Sequence, residues 1–106
     1  MIRDIELAFI KIHILYHADI ERVFGIGLMQ ELAEHDYIIS PGTLYPILNK
    51  LENDGLLISE KETVDHKQRK YYRITESGKS FLNDMKNRIH ELHKEVVLGN
   101  HSVPMP

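Results

Sequence analysis

Seven histidines and no cysteine set the metal-binding and nucleophilic chemistry open to this 106-residue chain. His13 and His17 stand four residues apart, and His90 and His93 three apart, spacings that put each pair on one face of a helix. Imidazole pairs of this kind can ligate zinc or nickel. The four therefore make a candidate metal site, conceivable where the first and last helices meet. Against it, the pairs lie far apart in sequence, no thiolate supports them, and surface histidines near helix ends are common, so no metal or other cofactor is expected. The missing cysteine also excludes a disulfide framework and a thiol nucleophile. There is no glycine-rich phosphate loop, no nucleophile motif and no carboxylate pair that can be placed in a site, so the chain is not expected to be an enzyme.

A second kind of chemistry lies in Ser40 to Leu57, SPGTLYPILNKLENDGLL. Leu44, Ile47, Leu48 and Leu51 recur at helical spacing and predict one buried stripe. The opposite face carries Gly42, Pro46, Asn49 and Asn53, flanked by Thr43, Tyr45 and Lys50. A helix that only buries its stripe has no use for Pro46, which removes an amide and crowds the preceding turn. Compact Gly42 and Pro46 instead let this face approach another surface closely. Two registers fit the start. With Ser40 as N-cap, Pro41 takes the favoured first position and Pro46 falls inside the helix. With Thr43 as N-cap, Pro46 lies in the first turn, where its missing amide costs little. Either way the free amides and the positive dipole end suit a phosphate.

The net charge is −3, yet the charges are unevenly spread. Residues 1–60 hold 4 Lys/Arg against 10 Asp/Glu, residues 61–75 hold 5 against 2, and residues 76–106 hold 4 against 4. The one positive segment is KETVDHKQRKYYRIT, and a local basic segment can grip a polyanion because screening confines charge to about 10 Å. The N-terminal apolar run is broken by Arg3, Asp4, Glu6, Lys11 and His13, so neither a signal peptide nor a membrane span is expected. A cytoplasmic location fits.

These groups need elements to position them. Residues 2–17 are apolar on more than one face, which predicts a helix covered by more than one neighbour. Residues 26–34 predict a short helix with Met29, Leu32 and Ala33 inward, after a loop ADIERVFG. The opening stretch supplies a third helix ended by Asn53, Asp54 and Gly55, with Gly55 suited to the left-handed cap. LLISEKE and RKYYRIT predict a hairpin with a charged tip, one of Tyr71 and Tyr72 packing inward and the other exposed. Thr75 can cap a last helix from about Glu76 to Leu98. Its apolar residues Leu82, Met85, Ile89, Leu92 and Val96 are spaced as a coiled-coil seam that needs a partner, most simply a second copy of the chain. The tail GNHSVPMP is expected to be disordered.

The resulting fold class is mainly α with a small β-hairpin: a winged helix-turn-helix over residues 1–75, a C-terminal dimerisation helix over 76–98, and a tail over 99–106. In such a fold the third helix enters the DNA major groove and the hairpin lies along the backbone. ISPGTLYPILNKLENDGLL followed by RKYYRITESGK closely resembles the PadR family of winged-helix transcriptional regulators, in its short form with a single terminal helix. FGIGLMQEL extends the resemblance less sharply, because Gly25-Ile26-Gly27 departs from the usual Gly-Tyr-Glu-like start. The resemblance implies a dimeric repressor of a near-palindromic double-stranded DNA operator. It puts Ser40, Thr43, Tyr45 and Pro46 at the DNA-facing helix start and Lys67, Arg69 and Lys70 on the wing.

The residues' own chemistry agrees with that assignment. The wing cations and the hydroxyls of Ser40, Thr43 and Tyr45 would hold phosphates. Asn49 suits adenine, Lys50 guanine, and Pro46 a thymine methyl. A small apolar or aromatic effector between the first and last helices is a further expectation. Two alternatives remain: a metal-responsive regulator using the histidine pairs, and a winged helix that docks protein through the same face.

Overall fold

The structure is a computed structural model that describes residues 1–100; most of the tail expected to be disordered lies outside the described residues. Helix α1 (Ile2–Ile20) leads through Glu21, in extended backbone, into strand β1 (Val23–Phe24). Helices α2 (Gly25–Ala33) and α3 (Pro41–Asn53) follow, then strands β2 (Leu57–Val64) and β3 (Lys67–Ile74). Helix α4 (Glu76–Leu92) ends in a widened π-helical turn, His93–Val97. This is the winged helix-turn-helix with a long terminal helix. The sheet is antiparallel in the order β1-β3-β2. No helix among the described residues is long and apolar enough to cross a membrane.

One core joins every element. Ile10, Ile14 and Leu15 of α1, Leu28 and Leu32 of α2, Leu44 and Leu48 of α3, Leu57 of β2 and Tyr72 of β3 are fully buried. Burial of each such side chain contributes about 1.5–3 kcal/mol, so α3 is held by its stripe rather than by helix propensity. In α2 the inward residue is Leu28, not Ala33, which is exposed. The helix begins at Gly25, one residue earlier than the spacing suggested, and its buried stripe is Gly25, Leu28 and Leu32.

The helix-turn-helix is closed by a turn in which His35 N donates to the Leu32 oxygen (3.0 Å) and Tyr37 N donates to the same oxygen (3.0 Å). Asp36 sits between them at φ 67°. At the start of α3 the first of the two registers is adopted: Ser40 is the extended N-cap residue, Pro41 follows at the first helical position, and Pro46 lies inside the helix. Pro46 donates no hydrogen bond to the Gly42 carbonyl four residues earlier, the group that its ring crowds. At the far end, Leu56 N donates to Leu51 O and Gly55 N to Glu52 O, both at 2.9 Å. With Gly55 at φ 79°, this is the Schellman cap.

Two further sequence expectations change. The loop before α2 contains β1, which pairs Val23 with Tyr72 and Phe24 with Tyr71. As a result both tyrosines are buried, Tyr72 at 1% and Tyr71 at 9% exposed. Tyr72 points into the core, whereas Tyr71, on the other side of the sheet, is covered by the Phe24 ring (5.7 Å, edge-on) and the Arg22 guanidinium (3.9 Å). The second change concerns the terminal seam. Leu82 is 2% exposed and belongs to the domain's own core, Met85 is half-buried, and Ile89, Leu92 and Val96 are exposed. An a/d spacing cannot separate the turn of a helix that packs on its own domain from the turns beyond it.

Candidate nucleic-acid interface

Helix α3 presents two chemically opposite faces. Leu44, Ile47, Leu48 and Leu51 are buried, while Ser40, Gly42, Tyr45, Pro46, Asn49, Lys50 and Asn53 are exposed and Thr43 is half-buried. The outward face is therefore the predicted one. Ser40 Oγ lies 3.4 Å from Thr43 Oγ1 and bonds no amide of the first turn. Pro41 has no amide hydrogen, and the Thr43 and Leu44 amides both donate to the Ser40 carbonyl oxygen (3.0 Å), so Gly42 N is the first-turn amide left beside the two hydroxyls.

The wing is a tight hairpin. Val64 pairs with Lys67, and the two residues between them, Asp65 and His66, both have positive φ (50° and 65°), the signature of a type I′ turn. Lys67 is exposed near the tip, and Arg69 and Lys70 are half-buried. Period-two alternation puts Lys67 and Arg69 on the Tyr71 side of β3 and Lys70 on the Tyr72 side. The Arg69 guanidinium lies 4.2 Å over the Phe24 ring, and Lys70 Nζ lies 5.4 Å from the Tyr72 ring centre.

Tyr45 bridges helix and wing. Its phenol packs directly on Gly25 at the start of α2, where any added Cβ would collide with the ring. A groove of about 450 Å³ then brings Tyr45 together with Lys67, Arg69 and Lys70, with Phe24 and Ile26 on its other wall. Ser40, Thr43, Pro46, Asn49 and Lys50 lie outside that groove, on α3.

The cations are not equally available. Lys50 pairs with Asp54 (3.0 Å) and Lys70 with Glu52 (3.6 Å). Among the described residues, Lys67 and Arg69 have no carboxylate within ion-pair reach. Glu52 also accepts from the Ser59 hydroxyl (2.5 Å) and amide (3.2 Å). The Ser59 hydroxyl, followed by the Lys70 charge, holds its carboxyl below the usual value against an opposing effect of burial. Arg22 binds both Glu60 and Glu62, and Arg73 binds Glu60 (3.2 Å). Arg22 and Glu52 thus shape the interface although their sequence context marks neither of them, and Phe24 does so through a strand no template finds, since a lone Val-Phe pair is too short.

The histidines assemble differently from the four-histidine expectation. His13 and His17 meet His35, from the turn after α2, with one nitrogen of each ring within 4.8 Å of the others. His90 and His93 are exposed on the distal part of the terminal helix and take no part. Burial, then the neighbouring His35 and His17, lower the pKa of His13 below that of an ordinary histidine. Beside this cluster an apolar cavity of about 420 Å³ opens between α1 and α4, lined by Phe9, Ile12, Tyr16, Tyr37, Leu82 and Ile89. It occupies the place where an effector pocket was expected.

Comparison with known proteins agrees with this geometry. Residues 14–84 match the family described as the transcriptional regulator PadR-like family. The chain is 45% identical over 97 residues to the transcriptional regulator Rv3488 of Mycobacterium tuberculosis, covering 92% of this chain and 91% of that one. Among solved structures, a PadR-like transcription factor from Bacteroides fragilis has a TM-score of 0.80 at 30% identity, over 92% of this chain and 96% of that one. A PadR family regulator from Eggerthella lenta has a TM-score of 0.79 at 33% identity, over 91% and 85%. By its residues, its fold and these relatives, the chain belongs to the PadR-like family of transcriptional regulators and is not an enzyme.

Proposed function

We propose that this regulator is a dimeric repressor that binds a near-palindromic operator in double-stranded DNA and is released by a small effector. One observation carries the reading: the exposed face of α3 joins short hydroxyl, amide and proline side chains to a wing whose Lys67 and Arg69 carry no competing carboxylate among the described residues. On this reading Ser40, Thr43, Tyr45, Lys67, Arg69 and Lys70 hold phosphates, while Pro46, Asn49 and Lys50 meet base edges in the major groove. Residues 1–75 form the DNA-binding unit, and the helix over 76–98 joins two copies through Met85, Ile89, Leu92 and Val96. The regulator works in the cytoplasm.

The exposed apolar side chains Ile2, Ile5 and Phe9 of α1 and Ile89, Leu92 and Val96 of the terminal helix support dimerisation, because α1 packs on α4 and apolar side chains exposed on packed helices suit a protein partner. The cavity between α1 and α4 supports an apolar or aromatic effector. Such a ligand releases DNA only by binding the non-DNA conformation more tightly.

The test is selection from random double-stranded DNA by the purified protein, then titration of the selected site across salt concentrations. An inverted repeat with half-sites about 34 Å apart, and an affinity that falls steeply with salt, is the expected result. No enrichment by folded, dimeric protein would overturn the reading in favour of protein docking.

A further inference from the structure

We propose that His13, His17 and His35 form a binding site for one divalent transition-metal ion of the zinc, cobalt and nickel class. Three imidazoles from two separate elements converge here. His13 and His17 are successive turns of α1, and His35 is brought in by the turn that closes the helix-turn-helix, 18 positions beyond His17. The hydrogen bonds of His35 N and Tyr37 N to the Leu32 oxygen and of Asp36 N to the Ala33 oxygen (3.1 Å), with Asp36 left-handed, fix the backbone beneath His35. The donor set is therefore held by folding.

The donors decide the class of ion. Imidazole nitrogens suit zinc, nickel, copper and cobalt, whereas magnesium and calcium demand oxygen. Three histidines leave a fourth position for water or another ligand. Glu31 Oε1 lies 3.7 Å from His17 Nδ1, the position of the outer carboxylate that usually orients a ligating imidazole.

The fit requires a small closure. Zinc–nitrogen bonds of about 2.05 Å at tetrahedral angles set the nitrogens about 3.3 Å apart, against separations of up to 4.8 Å in the cluster. His13 and His35 are stacked, with centroids 4.7 Å apart and ring planes 24° from parallel. Their in-plane lone pairs therefore run side by side until one ring turns. His35 is exposed, so its ring has room to turn.

The location gives the ion a role. α1 packs on α4, while the turn carrying His35 leads directly into α3. An ion bound here clips the DNA-reading helix to the helices that join two copies, and it closes one end of the apolar cavity. This regulatory consequence, unlike the site itself, rests on the DNA-binding reading.

The full chain, stripped of metal by chelation, is titrated with cobalt(II) and followed by visible absorption. Saturation at one ion per chain is expected. His35→Ala, a change at an exposed position, should weaken binding by at least roughly 100-fold, the upper end of what losing even an outer partner costs. It should leave the circular dichroism melt unchanged. A variant with His66, His90, His93 and His101 all changed to Gln should bind as the parent does. Absence of cobalt binding at millimolar concentration, indifference to His35→Ala, or loss in the fourfold variant would each overturn the site. Operator affinity is then compared with and without cobalt. A change lost in His35→Ala supports the clip; saturation with no change in affinity leaves the site standing and removes the clip. Failure to find any operator sinks the DNA reading alone, since the cobalt titration contains no DNA.

Discussion

The Thr75 hydroxyl donates to the Gly55 carbonyl oxygen at 2.5 Å, fastening the end of α3 to the start of α4. The Thr75 Oγ1 also accepts from the Gly78 amide at 2.9 Å, and Thr75 N donates to Leu56 O at 3.1 Å. One side chain thus caps the terminal helix and pins it to the exit of α3. Thr75→Val removes both hydroxyl bonds while keeping shape, and should destabilise the fold by about 1–2 kcal/mol, whereas Thr75→Ser should cost far less. Equilibrium urea unfolding of the two variants measures the difference; equal loss in both would show that the methyl, not the hydroxyl, matters.

Two glycines beside this knot differ in what they tolerate. An added Cβ at Gly78 meets the Leu56 carbonyl, a backbone group that cannot swing aside, whereas at Gly55 it meets nothing and the only obstacle is φ 79°. Gly55→Ala should therefore cost about 1 kcal/mol and Gly78→Ala about 3 kcal/mol or more. Thermal melts should rank them in that order, and the reverse order would contradict the close approach of α4 to Leu56, the residue before β2.

The wing tip asks two side-chain-bearing residues to be left-handed. Replacing Asp65-His66 by Asn-Gly keeps the turn and removes strain, for a gain of about 1 kcal/mol. That should raise the melting temperature by about 4–8 °C. An unchanged or lowered melt would argue that Asp65 and His66 make compensating contacts.

The proposed phosphate contacts carry a salt signature. Lys67→Ala and Arg69→Ala should each lower operator affinity and reduce the slope of log K against log salt by about 1. Slopes equal to the parent's would remove those residues from the backbone contacts.

The exposed part of the terminal seam can be tested by charge. Ile89→Asp should convert a dimer into monomers in sedimentation analysis while leaving the monomer's helical content intact, because Ile89 is exposed on its own domain. Leu82→Asp should instead unfold the chain, since Leu82 lies in the core. If both variants behaved alike, the division of the seam between core and surface would be wrong.

Much of α3 was legible in the sequence, because its stripe, its outward face and its Gly55 cap are all set by local spacing and local backbone preference. The start of α3 was not. Ser40 and Thr43 are equally good caps by type, and the choice appears only in the folded backbone, where the Ser40 carbonyl accepts from the Thr43 and Leu44 amides. β1 was hidden because a two-residue strand exists only through its pairing with Tyr71 and Tyr72. His35 escaped for the same reason, since its meeting with His13 and His17 depends on how the helix-turn-helix folds back on α1. Periodicity names a face; it does not say what covers it.

The carboxylates beside Lys50 and Lys70 bear on how such a protein finds its address. A chromosome offers about 10⁶–10⁹ decoy positions, every one of them lined with phosphate. Asp54 and Glu52 already pair with those two lysines, so on the proposed reading any stretch of DNA must displace them before it gains the contact. A random stretch returns little for that displacement, while a site whose bases match α3 returns more. Acidic neighbours therefore shorten each stop at a decoy, leaving more of the molecules free to sample the next one.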